Sequence, residues 1–270
     1  MKSAVVHLCE QTLPLAWEAS ILKLYAEGFR IPTQYDGPED PPSIDATAII
    51  EVIEPFTEPR IHRCFPDSIA GLESYRQEMV DGIHDHWIDP KAGKWEYTYH
   101  ERFAAYNVPG IDKPINQIDY IVDALRTCSY TRRAQAITWK PWEDAGISDP
   151  ACLQRIHCRI VEGRLCMNVH MRSNDAFKAA FMNAYAFTDL QRVIAERVGV
   201  PVGRYIHIAD SYHIYGAYMK DVEAFIDTVK RRPVEKRTFR TEDVAELIEE
   251  ARDQIRRSLE EEQRTGRKGL

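Results

Sequence analysis

The residues able to do chemistry in this chain concentrate between Arg132 and Tyr215. Cys152 follows Asp149-Pro150-Ala151 and is a candidate nucleophile. A free thiol with a pKa of ~8.5 is mostly protonated at neutral pH, so Cys152 needs positive charge beside it, and Arg172 is the candidate. The pair Arg132 and Arg133, like Arg172, offers the permanently charged forks that hold a phosphate. Asn183 carries an amide donor and an amide acceptor, and a late His-x-Tyr supplies His213 and Tyr215. Each has a plainer reading: Cys152 as a packed thiol, Arg132 and Arg133 as solvated charges beside a strand, Asn183 as a helix N-cap, His213 and Tyr215 as alternating along an edge strand. Their joint order and spacing raise a site above those readings.

The elements that must position these residues read as α+β. LQRIHCRIV and RLCMNVHMRS both alternate around Glu162 and Gly163, which predicts a hairpin with Leu165, Met167, Val169 and Met171 on one face and Arg172 at the strand end. The segment NAYAFTDLQRVIAERVG has helical period and ends at Gly199, and RYIHIADSYHIY returns to extended structure. Upstream, ATAIIEVIE and AQAITW read as strands, and the stretches from Ile69 to Ile83 and from Pro114 to Thr127 as helices. TQYDGPEDPPSIDA and KPWEDAGISDPA read as loops. From Thr241 an amphipathic helix with Val244, Leu247, Ile248 and Ile255 runs into the basic end RTGRKGL. The chain therefore divides into a single catalytic domain over 1–235 and a charged C-terminal helix over 236–270.

Composition bounds the function. With 270 residues and 44% apolar content the chain can bury a sizeable core. A net charge of -7 argues against a general nucleic-acid binder. Six cysteines without CxxC spacing point to neither a zinc site nor a disulfide framework, so no metal is expected. No apolar run reaches the ~20 residues of a membrane span and no secretory signal is evident, so a cytoplasmic location is expected.

Taken together, SYTRRAQAITW, DPACLQRI, MRSNDAFKAAFMNAYAF and YIHIADSYHIY resemble the thymidylate synthase family, in which an arginine pair, a Pro-(Pro/Ala)-Cys loop, Arg-Ser-x-Asp, a helix-opening Asn and His-x-Tyr follow in that order. EPRIH and WEYTYHERF look closest to its archaeal-type branch. The resemblance implies a mixed, largely antiparallel sheet packed by helices, in a homodimer. It implies that Cys152 adds to carbon 6 of dUMP, making carbon 5 nucleophilic toward 5,10-methylenetetrahydrofolate. Arg172 and Ser173 of one subunit, with Arg132 and Arg133 crossing from the other, then hold the phosphate. By the same resemblance Asn183 reads the uracil edge, His213 and Tyr215 hold the 3'-hydroxyl, Asp175 contacts the folate pterin and Tyr99 helps remove the carbon 5 proton. Glu78 organises catalytic water, with Glu73 as its competitor.

The chain departs from the family pattern in three places, the first being its Asp149-Pro150-Ala151-Cys152 loop, which the family accepts. No residue clearly matches the N-terminal phosphate-loop arginine, although Arg30 is near, and the short apolar tail that closes over folate in many bacterial members is replaced by the charged helix. Trp87, Trp95, Trp139 and Trp142 are candidates for excluding water or for plain packing. A same-family alternative is a 5-hydroxymethylase acting on dUMP or on CMP or dCMP, in which water quenches the intermediate. Outside that chemistry stand a Cys-His hydrolase using His157 or His213 and a non-catalytic nucleotide-binding relative.

Overall fold

A computed structural model of the protein describes residues 4–266. The chain runs β1 (Val5–Glu10), α1 (Leu13–Glu27), β2 (Phe29–Ile31), β3 (Ser43–Val52), β4 (Ile61–His62), α2 (Ile69–Asp81), α3 (Tyr99–Ala104), α4 (Gln117–Thr127), β5 (Gln135–Ile137), α5 (Pro141–Asp144), β6 (Leu153–Val161), β7 (Arg164–Asp175), α6 (Ala180–Val198), β8 (Val202–Ile214), α7 (Met219–Arg231), β9 (Thr238–Phe239) and α8 (Ala245–Thr265). The main sheet has the order β1-β3-β8-β7-β6-β5, with β2 also paired to β3. Its β1–β3 and β7–β8 pairs are parallel and the others antiparallel, so the sheet is mixed.

Local sequence explains the site-bearing elements. Glu162 and Gly163 join β6 to β7 with φ of 52° and 74°, the doubly left-handed turn whose twist matches the strands it connects. Leu165, Met167, Val169 and Met171 then fall on the buried face, as period two requires. The strand continues past Arg172 to Asp175, so Arg172 lies inside β7 rather than at its end. β8, read as a possible edge strand, is central between β3 and β7.

Helix α6 is the spine of the apolar layer, burying Phe181, Phe187, Leu190 and Ile194 before Gly199 ends it in the left-handed conformation. It begins three residues earlier than the sequence reading placed it. Ala179 is its N-cap, and the Asn183 N–H donates to the Ala179 carbonyl at 2.9 Å, so Asn183 is not a cap and its side chain is free for another role. Helix α2 packs on α6 and is flanked on another side by α8.

The C-terminal segment is stitched into the body. β9 pairs with β4, and Arg237 makes a two-pronged ion pair with Glu18 of α1, both contacts at 2.8 Å and both residues buried. Thr241 starts a short 3-10 turn ahead of α8, so the helix begins later than Thr241, and the Thr241 Oγ1 has no partner. The last four residues of the basic end, 267–270, lie outside the described residues. No described helix is long and apolar enough to cross a membrane.

Candidate active site

Cys152 immediately precedes β6, and Arg172 on β7 straps its loop in place. Arg172 Nε donates to the Ala151 carbonyl at 3.1 Å, Nη2 donates to the Pro150 carbonyl, and the backbone N–H donates to the Cys152 carbonyl at 2.8 Å. At the far end of the loop, buried Arg102 holds Asp144 at 2.9 Å, and Asp144 accepts from the Lys140 N–H at 2.6 Å. A loop tied at both ends presents its thiol in a fixed place, which is what a nucleophile requires. Burial pushes the Cys152 thiol above the ordinary cysteine range, Arg172 pulls it down, and Asp149 adds to the rise. The pull of Arg172 has the sign expected of an activator, yet burial outweighs it within this chain.

The thiol faces a cleft of about 360 Å³ that also receives Ser173, Asp175, Asn183, His213, Tyr215 and Tyr99. Asn183, at the fourth position of α6, has its orientation fixed by the Tyr75 hydroxyl, which donates to Oδ1 at 2.6 Å. His213 arrives from the end of β8. Its Nδ1 lies 3.2 Å from Ser211 Oγ, which itself donates to Asp45 at 2.5 Å, whereas its buried Nε2 has no partner. Tyr215 sets its ring edge against His213 at 4.6 Å. A buried nitrogen left unpaired in a cleft is costly unless a ligand satisfies it.

Asp175 uses Oδ1 to accept from the N–H groups of Phe177 and Lys178 at 3.0 and 2.9 Å, and burial nevertheless raises its carboxyl above the ordinary range. The Tyr99 hydroxyl accepts from the Leu153 N–H at 3.2 Å, and burial holds its phenol well above its usual range. Tyr75 and Tyr99 form a wall shared with a second cavity of about 440 Å³, and that cavity contains Glu78 and Trp95.

Glu78 is thus one tyrosine layer away from the cysteine cleft, with Oε2 2.8 Å from His84 Nδ1. His84 stacks on Trp87 at 3.8 Å, and Trp87 Nε1 donates to Glu262 of α8 at 2.9 Å. Glu73, its competitor, is buried in ion pairs with Arg76 and Arg252, each at 2.9 Å, and is committed to tying α2 to α8. Of the other tryptophans, Trp142 is exposed beside Tyr106, away from both cavities.

Arg132 and Arg133 are exposed and do not line the cleft. The Arg132 carbonyl lies 3.1 Å from His157 Nε2, which is five residues along β6 from Cys152, or ~16 Å at the rise of a strand. Arg30 reaches the Pro42 carbonyl at 3.3 Å and is likewise absent from the cleft lining. Neither His157 nor His213 hydrogen-bonds Cys152, so the base-nucleophile contact of a Cys-His hydrolase is not formed. Among the described residues no group of three or more His, Cys, Asp or Glu side chains is arranged to hold a metal ion.

Sequence reasoning missed Tyr75 and Asn174 in the cleft lining. Tyr75 reads as one more apolar position on α2, although a buried tyrosine hydroxyl always needs a partner. Asn174 occupies the variable position of Arg-Ser-x-Asp, where a motif draws no attention.

Comparison with known proteins agrees with this geometry. The thymidylate synthase family profile matches residues 69–258. A protein of Methanocaldococcus jannaschii provisionally named a thymidylate synthase is 34% identical over 205 residues, covering 74% of this chain and 86% of that one. A similarly named protein of Methanosarcina acetivorans is 27% identical over 200 residues, covering 74% and 85%. The solved structure of thermostable thymidylate synthase A from Bacillus subtilis superposes with a TM-score of 0.61 at 18% identity, over 80% of this chain and 84% of that one, which establishes the fold. Through the matched profile and these archaeal relatives, the chain belongs to the thymidylate synthase family.

Proposed function

We propose that this protein methylates carbon 5 of dUMP in the cytoplasm, using 5,10-methylenetetrahydrofolate as one-carbon donor and reductant. The observation that carries the reading is the convergence of the Cys152 thiol, the oriented Asn183 amide and the unpartnered Nε2 of His213 on one cleft of nucleotide-ring size.

Cys152 adds to carbon 6 as its thiolate, and the electron pair of the ring double bond moves toward the carbon 4 carbonyl. The Asn183 amide donates to that oxygen and accepts from N3–H, stabilising the charge where it develops. Tyr99 lies beside the cysteine loop and takes part in removing the carbon 5 proton, while Glu78 and His84 order water in the neighbouring cavity. His213 and Tyr215 hold the 3'-hydroxyl, and Asp175 holds the pterin. When bound, the folate supplies the carbon and the hydride; the protein orients it and limits water.

Ser173, on the cleft lining, receives the phosphate together with Arg132 and Arg133 of a second subunit, while Arg172, which is absent from that lining and has Nε and Nη2 engaged by the Ala151 and Pro150 carbonyls, offers it only its remaining N–H groups. The exposure of the arginine pair and its absence from the lining of its own cleft support this division.

One observation favours hydroxymethylation. Trp95, on the lining of the Glu78 cavity, is 39% exposed, which leaves water a route toward the tyrosine wall. Incubation with dUMP and methylenetetrahydrofolate separates the two. The methylation reading expects dTMP with dihydrofolate; hydroxymethyl-dUMP with tetrahydrofolate overturns it.

A further inference from the structure

Behind the cleft a buried relay runs across two strands. The Tyr205 hydroxyl lies 2.8 Å from His207 Nδ1, and His207 Nε2 lies 2.8 Å from Asn174 Oδ1. All three side chains are buried, at 0%, 2% and 3% exposure, and Asn174 lines the cysteine cleft. Phe187 of α6 stacks parallel to the His207 ring and holds its plane.

Hydrogen-bond accounting fixes the direction of the relay. Burial pushes His207 down to about 4, so at neutral pH its ring is uncharged and carries one proton. With that proton on Nε2, the ring donates to the Asn174 carbonyl oxygen, Nδ1 accepts from the Tyr205 hydroxyl, and every group is matched. The inverted arrangement, with the proton on Nδ1, leaves the Tyr205 O–H without an acceptor in a fully buried position, which is unfavourable. The favoured direction leaves the Asn174 amide N–H groups unused by His207, on a residue that lines the cleft.

We infer that Asn174 is a substrate-contact residue whose amide donates to a ring carbonyl of the bound pyrimidine nucleotide, and that His207 and Tyr205 are positioning residues that set its orientation. The inference rests on the uracil-nucleotide reading of the cleft. Asn183, pinned by Tyr75, takes the carbon 4 carbonyl and N3–H in that reading, so the acceptor left on the same edge is the carbon 2 carbonyl. Asn174 is the donor assigned to it.

The test compares dUMP with 2-thio-dUMP, whose sulfur is a poor acceptor, by tritium release from the 5-tritiated forms. The wild-type protein is expected to prefer dUMP in kcat/KM by about tenfold, mostly through KM, as the loss of one hydrogen bond implies. Asn174→Ala and the isosteric Asn174→Asp are expected to bring that ratio close to one, and Tyr205→Phe to reduce it by freeing the His207 tautomer. Nitrogen-15 NMR of His207 in the wild type is expected to show a protonated Nε2 at neutral pH. An unchanged ratio in folded Asn174→Asp, or a proton on Nδ1, overturns the inference. Absence of tritium release from wild type with dUMP instead removes the underlying functional reading.

Discussion

At the residue scale, the electrostatics around Cys152 give a pH dependence with a definite sign. Because burial raises the thiol more than Arg172 lowers it, the thiolate population grows only at alkaline pH. Alkylation of Cys152 by iodoacetamide, read by peptide mass spectrometry, is expected to have its midpoint above the ~8.5 of a free cysteine. Arg172→Ala removes the only lowering influence and is expected to move the midpoint higher still; a downward move contradicts the assignment. In the proposed reading Asn183 selects the base, so Asn183→Asp is expected to shift kcat/KM from dUMP toward dCMP by about tenfold or more, as polar mispairing implies. Retention of full dUMP preference would show that another group reads the base.

How much of the site was legible follows from the same residues. Cys152, Ser173, Asp175, Asn183, His213 and Tyr215 meet in one cleft because polar residues in a fixed order survive as a pattern. Tyr75 and Asn174 were invisible because their roles depend on partners 108 and 33 residues away, and no local pattern encodes those pairings. Glu78 and Glu73 could be told apart only by geometry, since α2 turns one toward His84 and the other into the arginines of α2 and α8.

At the element scale, period and turn chemistry located the β6–β7 hairpin and the body of α6, because both signals are local. The start of α6 was misplaced because Ala179 caps it without a side-chain hydrogen bond, leaving no residue type to mark the end. The order of strands was not legible, since β1, β3, β8 and β7 are joined through contacts distant in sequence.

The same scale holds a stability prediction. Arg237 joins the segment before β9 to Glu18 of α1 through a buried two-pronged pair. Burial alone would raise the Glu18 carboxyl, but hydrogen bonds from His62 and Arg237 outweigh it and hold it below its ordinary range. Its contribution is therefore present above the unfolded carboxylate pKa and is lost as pH falls through the lower folded value. Arg237→Ala leaves a buried carboxylate with only the longer His62 contact, at 3.3 Å, and is expected to cost about 3 kcal/mol in urea unfolding at neutral pH. A change below ~1 kcal/mol would mean the C-terminal segment is anchored elsewhere.

For the whole molecule, the separation of Arg132 and Arg133 from their own cleft leads to a complementation test. Co-expressed Cys152→Ala and Arg132→Ala/Arg133→Ala chains, each inactive alone, are expected to recover about a quarter of wild-type activity, since half of randomly paired dimers hold one complete site. No recovery, in a preparation shown to contain mixed dimers, would place the phosphate ligands within one chain.

The central claim is that Cys152 bonds covalently to carbon 6 of a uracil nucleotide. Its most direct test is intact-mass measurement after incubation with 5-fluoro-dUMP and methylenetetrahydrofolate, where fluorine blocks loss from carbon 5 and traps the adduct. The expected result is a mass increase equal to nucleotide plus folate, located on the Cys152 peptide and absent from Cys152→Ala. An unmodified wild-type protein, or an adduct that persists in Cys152→Ala, would contradict it.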